Sequence, residues 1–187
     1  IIASMGAFVL AKYDFPGGRT FFKLVTIALM FNGSVTAIPN YLLINKLGWI
    51  DTYWAIIIPA FGSSMGLFLM KQFMEGLPMS LIEAAKIDGA NEWKVFTRIV
   101  MPNVKPAWLT LIIFSVQGLW NNGATTFIYS EEKKLLPLAL SQIQSGGIAR
   151  TGQAAAVTVI MMSVPIATFV LSESQILETM ASSGLKE

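Results

Sequence analysis

Glu83-Ala84-Ala85-Lys86-Ile87-Asp88-Gly89-Ala90, closed by Ile99-Val100-Met101-Pro102, is a polar island between apolar blocks. Most of the charge in the middle of the chain lies in this one long loop, which carries helix signals of its own. An apolar chain keeps its polar loops short unless something outside the lipid must hold them. The stretch therefore reads as the part of a membrane protein that a soluble partner grips from one side.

Composition supports a lipid solvent. The 187 residues are 54% hydrophobic and only 13% charged, with a mean hydropathy of +0.61. Ordinary soluble domains carry roughly 25% charged residues, and a core of this length cannot hide such a deficit. Cysteine is absent, so neither a disulfide framework nor a thiolate metal site is available. Histidine is absent too, which removes the usual general base, metal ligand and pH switch. A net charge of +2 is too small to point to nucleic acid. The chain opens Ile1-Ile2-Ala3, without Met or a basic n-region, and reads as a piece lacking an N-terminal portion rather than as a signal peptide. The run Ile1 to Ala11 is too short to span and is expected to be the end of a truncated span.

Four further apolar segments approach spanning length: Phe21–Ile44, Tyr53–Met74, Ala107–Tyr129 and Gly152–Ile176. Pro39, Pro59 and Pro165 lie inside them, which membrane helices tolerate where neighbours satisfy the freed carbonyls. Basic residues set the orientation. Lys12, Arg19, Lys23, Lys71, Lys86, Lys94, Arg98, Lys105 and Lys186 fall on one side; Lys46, Lys133, Lys134 and Arg150 fall on the other. Nine against four places the loop at 75–106 and the C-terminal tail in the cytoplasm, with the connection at Lys46–Asp51 and the loop Ser130–Arg150 outside. Trp49, Tyr53, Trp54, Trp108 and Tyr129 fall near predicted ends, as an aromatic belt does.

Within the loop, Ser80 and Glu83 have the spacing of a capping box, Ala84 to Lys86 are good helix formers, and Gly89 suits a left-handed helix end. About two and a half turns and a sharp corner are expected. Asn91 can cap a second helix with Trp93, Phe96, Ile99 and Val100 on one face. Pro102 and Pro106 are expected to end the loop. A membrane-surface hairpin with no partner is the plainer reading, but such a helix carries a larger apolar face and more Lys or Arg. Small alanines instead favour close approach of another surface.

These residues resemble a known family. Glu83-Ala84-Ala85, Gly89, Ile99 and Pro102 match the EAA loop of ABC importer membrane subunits. Pro39-Asn40-Tyr41-Leu42-Leu43, the run from Leu47 to Ala55 and Phe68 to Phe73 are similar to the carbohydrate-uptake permeases related to the maltose system's second membrane subunit. The resemblance runs over nearly the whole chain. It implies one all-α transmembrane domain over 1–187, a polytopic helical bundle of the ABC type I importer kind, with about five spans in this N-terminally truncated fragment. It implies a helix Ser80–Asp88 that docks in the cleft of a cytosolic ATPase. Glu83 would meet a basic residue there, Ala84 and Ala85 would permit close packing, Asp88 and Gly89 would close the helix, and Pro102 would follow. A second homologous permease and an extracytoplasmic sugar-binding protein complete the implied set of partners, and the implied location is the plasma membrane. The chain itself carries no ATP site: Phe15-Pro16-Gly17-Gly18-Arg19-Thr20 lacks the spacing and lysine of a phosphate loop. No cofactor or metal is expected.

Polar residues inside spans usually face a bundle interior or cavity. Asn32, Ser34, Thr36, Ser63, Ser64, Gln117, Asn121, Asn122, Thr158 and Ser163 are the candidates. Amides and hydroxyls both donate and accept, as sugar hydroxyls require, and Trp120 adds an aromatic face. Helix packing is the competing role for the small residues; Asn32, Gln117, Trp120, Asn121 and Asn122 are the preferred pathway set. Trp120-Asn121-Asn122-Gly123 departs from the family's usual acidic residue after the Trp-Asn pair. A secondary transporter or channel is the alternative, but it wants charged groups deep in the spans, and Lys23, Lys71 and Glu173 lie near ends. An intramembrane enzyme lacks candidate groups.

Overall fold

The computed structural model describes residues 1–31, 33–122, 127–144 and 151–184, without the side chains of 33, 34, 144 and 174–184. Among them all regular structure is helical. In chain order these are α1 (Ile2–Lys12), α2 (Gly18–Ala28), α3 (Gly33–Lys46), α4 (Trp54–Ala60), α5 (Ser64–Glu75), α6 (Met79–Ile87) and α7 (Glu92–Lys94). A π-helical stretch Val95–Val100, α8 (Met101–Asn103), α9 (Lys105–Trp120), a 3-10 turn Glu131–Lys133, α10 (Leu136–Gln144) and α11 (Thr151–Gly184) follow.

Among the described residues two stretches are long and apolar enough to cross a membrane, Trp54–Glu75 and Thr151–Glu173; the pair Glu92–Asn103 and Lys105–Trp120, bent by 83°, makes a third if it is one span. The first two coincide with the sequence segments Tyr53–Met74 and Gly152–Ile176. The segment Phe21–Ile44 is divided, because α2 ends at Ala28 and α3 starts only at Gly33. In the Trp54–Glu75 stretch, Pro59 precedes a break and Ser63 restarts the helix as its N-cap, its hydroxyl accepting from the Gly66 amide at 2.9 Å. Ser63 is thus used for capping.

The chain forms two compact units. The first contains Ile1–Asn32, Phe61–Leu111 and Gln175–Glu187. Here α1 lies along α5, with a small residue at the crossing: a Cβ on Gly6 would come 3.2 Å from Leu67 of α5, while one on Gly66 of α5 would come 3.0 Å from Leu111 of α9. Small residues let helix backbones approach closely where lipid supplies no hydrophobic drive. One buried cluster gathers Ala7 and Phe8 of α1, Met70 and Met74 of α5, Ile82 and Ala85 of α6, Val95, Phe96 and Val100 of the π stretch, and Val104 and Ala107 at the corner before α9. The cluster thereby joins the polar loop to the transmembrane helices. Lys71 is buried beside it, paired with Glu75 and lying 4.0 Å over the Phe22 ring.

The second unit contains Gly33–Ala60 and Ile112–Ser174. Ile44, Ala55, Ile113 and Ile128 are buried in it, and Tyr41 stacks on Phe127. Its connection Lys46–Asp51 is clasped to the segment after Phe127. Asp51 adopts φ 58°, in the left-handed region that Asp tolerates better than most residues. Its amide donates to the Phe127 carbonyl at 2.7 Å. Its carboxylate accepts from the Tyr129 amide at 3.2 Å, the Ser130 amide at 3.0 Å and the Ser130 hydroxyl. Lys133 donates to the Asp51 carbonyl at 2.7 Å. These donors, the Ser130 hydroxyl first, hold the Asp51 carboxyl down at about 2. Along α11 large apolar side chains are exposed, among them Val159, Ile160, Phe169, Val170 and Leu171, as suits a helix solvated by lipid.

Candidate functional site

The polar loop folds as a short helix, a tight corner and a second helix. Pro78, at φ −61° and ψ 136°, is the N-cap of α6, and no side chain caps the helix. Proline's fixed φ and missing N–H suit a helix start. Ser80 is therefore already inside the first turn, and the expected Ser80–Glu83 capping box does not form. The other end follows the sequence reading. Gly89 takes φ 78°; the Ala90 amide donates to Ala85 at 2.9 Å and the Gly89 amide to Lys86 at 3.0 Å. This is a Schellman ending, which satisfies carbonyls the helix leaves open. No atom lies within 4 Å of a Cβ built on Gly89, so glycine is needed here for conformation and not for space. Asn91 caps the next helix, its side chain accepting from the Lys94 amide at 2.9 Å.

The two faces of α6 differ. Ile82 and Ala85 are buried in the chain's own cluster, where Ile82 alone contributes about 1.5–3 kcal/mol. Leu81, Glu83, Ala84, Ile87 and Asp88 are exposed, Ile87 at 86%. The close packing that Ala85 permits is accordingly with this chain; Ala84 is the alanine left outward.

The end of α1 clamps the corner. Lys86 Nζ lies 2.7 Å from a Glu92 carboxylate oxygen and donates to the Tyr13 hydroxyl at 3.1 Å, and that hydroxyl donates to Glu92. Hydrogen bonding to Lys86, then to Tyr13, holds the Glu92 carboxyl below its usual range; the bond to Glu92 raises the Lys86 ammonium; burial, then Glu92, raises the Tyr13 phenol. Lys12 donates to the Leu77 carbonyl at 2.6 Å and the Glu75 carbonyl at 3.4 Å, just ahead of α6.

The second helix departs from the expected face. Val95, Phe96 and Val100 are buried, Ile99 is half-buried and Trp93 is 57% exposed. The cause is the π-helical stretch, whose wider turn breaks the 3.6 period that selected Trp93. Pro102 sits exposed inside α8 and does not end the helical run. The corner comes at Val104, at φ −103° and ψ 26°, and is tied by Trp108, whose indole donates to the Met101 carbonyl at 3.1 Å. Pro106 occupies the first turn of α9, where its missing N–H is harmless.

The candidate pathway residues separate. Asn32 lies outside the described residues. Gln117 and Trp120 are half-buried near the end of α9, and Asn121 and Asn122 are exposed in the turn after it. Asn122 lines a cleft of about 250 Å³ with Asn40, Pro59, Leu119 and Phe127. Sequence reasoning passed over Asn40, although an amide directly after Pro39 in an apolar run was the available signal. The hydroxyls of Thr158 and Ser163 donate to backbone carbonyls one turn back, at 2.8 and 2.6 Å, so they serve their own helix.

Apolar helices of spanning length, with a clamped polar helix joined to them, define a membrane component. The family described as "binding-protein-dependent transport system inner membrane component" matches residues 2–179, and the chain belongs to that family. It is 37% identical to Protein LplC of Bacillus subtilis over 134 residues, 72% of this chain and 45% of that one. It is 36% identical to the arabinooligosaccharides transport system permease protein AraQ of the same organism over 145 residues, 76% of this chain and 52% of that one. Against the polygalacturonan/rhamnogalacturonan transport system permease protein YtcP, also of Bacillus subtilis, identity is 34% over 137 residues, 73% of this chain and 47% of that one. The chain thus spans about half the length of the curated relatives it matches. A crystal structure of a bacterial ABC transporter involved in the import of the acidic polysaccharide alginate superposes with a TM-score of 0.71 at 25% identity, covering 100% of this chain and 69% of that one.

Proposed function

We propose that this chain is part of the permease subunit of an ATP-driven sugar importer, forming half of a translocation pathway with a second homologous permease. A cytosolic ATP-binding cassette ATPase drives it through the loop at 75–106, and an extracytoplasmic sugar-binding protein delivers the cargo. The observation that carries this reading is α6: a Schellman-ended helix welded on one face to the transmembrane core, with Glu83, Ala84, Ile87 and Asp88 open on the other. A lever must be stiff at its root and free at its tip, and α6 is both. The saccharides in the names of AraQ and YtcP support sugar as the cargo class.

The plasma membrane is the location, with the loop and the C-terminus cytoplasmic. Supporting this, Lys12, Arg19, Lys23, Lys71, Lys86, Lys94, Arg98 and Lys105 all fall in the first compact unit, while Lys46, Lys133 and Lys134 fall in the second. Gln117, Asn121 and Asn122, joined by Asn40, are the proposed pathway amides; Trp120 is the proposed aromatic neighbour.

The sequence contains no cysteine, which makes the test direct. Cysteine at exposed Ala84 in the full-length protein is expected to form a nucleotide-sensitive disulfide with a cysteine in the cleft of the co-expressed ATPase. Cysteine at buried Ala85 is the control and is expected to stay free. If the Ala84 variant also stays free in an assembled complex, α6 is not the coupling helix.

A further inference from the structure

Trp120 and Pro165 are 45 positions apart in the sequence, yet one hydrogen bond connects their roles. In a regular helix the amide of residue 165 donates to the carbonyl of Met161. Proline has no amide hydrogen, and its ring presses on that same carbonyl. Pro165 lies inside α11, in a stretch apolar enough to span a membrane, where water cannot satisfy the orphaned oxygen. The Trp120 indole N–H donates to the Met161 carbonyl at 2.9 Å.

We propose that Trp120 is a positioning residue, its indole replacing the donor that Pro165 deletes and so fixing the conformation of α11 at its proline. Trp120 is the last residue of α9, so the bond fastens the end of that helix to α11. Its N–H is committed to the backbone, which leaves only the ring for cargo. On the transport reading above, this bond is where movement of α9 is handed to α11. The pin itself rests on geometry alone.

The test uses spin labels at Ala155→Cys and Val170→Cys, exposed positions either side of Pro165, in the full-length permease assembled with its partners in lipid vesicles. Trp120→Phe keeps an aromatic ring and removes the donor; it is expected to broaden the distance distribution between the labels. Pro165→Ala restores the backbone donor and is expected to narrow it. Adding Trp120→Phe to Pro165→Ala is expected to change nothing further, because the indole is then redundant. An unchanged distribution in Trp120→Phe, or equal broadening with and without Pro165, overturns the pin. Loss of any ATP-dependent distance change, with the double-mutant pattern intact, overturns the transport reading and leaves the pin standing.

Discussion

Replacing Gly89 by alanine isolates the corner of α6 from every other feature of the loop. Gly89 sits at φ 78° with open space around its missing Cβ, so the methyl group meets nothing. What remains is the left-handed backbone penalty for an L-residue, about 1–2 kcal/mol. The bonds that break when the corner opens are known: Ala90 to Ala85 and Gly89 to Lys86. A loss of one or two kcal/mol multiplies the open population roughly 5–30-fold, and amide exchange at residues 89 and 90 is expected to accelerate by that factor. Exchange mass spectrometry of the full-length permease in lipid discs, on peptides covering 84–92, reads it. Gly89→Asn is expected to accelerate exchange less, since Asn tolerates this region. Gly89→Pro locks φ near −65° and deletes the donor to Lys86; it is expected to abolish uptake while insertion persists. If alanine and wild type exchange alike, or if the acceleration spreads equally to α11, the corner is not held by this motif.

Other expectations follow from contrasts within the same unit or the same loop. Ile82→Ala should destabilise the loop by about 2–5 kcal/mol by opening a cavity in the cluster; Ile87→Ala, at an exposed site, should leave stability intact and impair uptake, as thermal unfolding and transport rates measured side by side will show. The Asp51 carboxyl is held down from 3.8 to about 2, so the clasp it forms is complete above pH 3.8 and is lost as pH falls through 2; exchange at Tyr129 and Ser130 followed from pH 6 downward checks the window. Gly66→Ala would set a Cβ 2.9 Å from the Ser63 hydroxyl and displace that cap, a loss of about 0.5–2 kcal/mol seen as fraying at the start of α5.

Features that depend on a few neighbouring residues were legible in the sequence. Gly89 was recognisable because a helix end needs φ > 0 there, Asn91 because its side chain reaches an amide three residues on. The stretches Trp54–Glu75 and Thr151–Glu173 were legible because their apolar run is long. What failed involved a rule being displaced by another. Pro78 started α6 before Ser80 could, and a π turn moved the buried face from Trp93 to Val95. The exposed and buried sides of Ala84 and Ala85 are set by packing on the buried cluster, the π-helical stretch included, which no local pattern announces. Trp120 read as an aromatic surface because its acceptor lies 41 residues away. Asp51 was passed over for the same reason: its partners begin with Phe127, far along the chain.

The clamp at the end of α1 has a consequence for biogenesis. Lys12 meets Leu77 across 65 residues and Tyr13 meets Glu92 across 79, and such long closures form late because intervening chain must first be made and ordered. Lys12 and Tyr13 leave the ribosome well before their partners do, so their side chains wait through the synthesis of α2 to α5 before Leu77 supplies the first partner and Glu92 the last. The clamp is therefore completed only once residue 92 has emerged, and a chain stalled before that point carries α6 without its corner fastened.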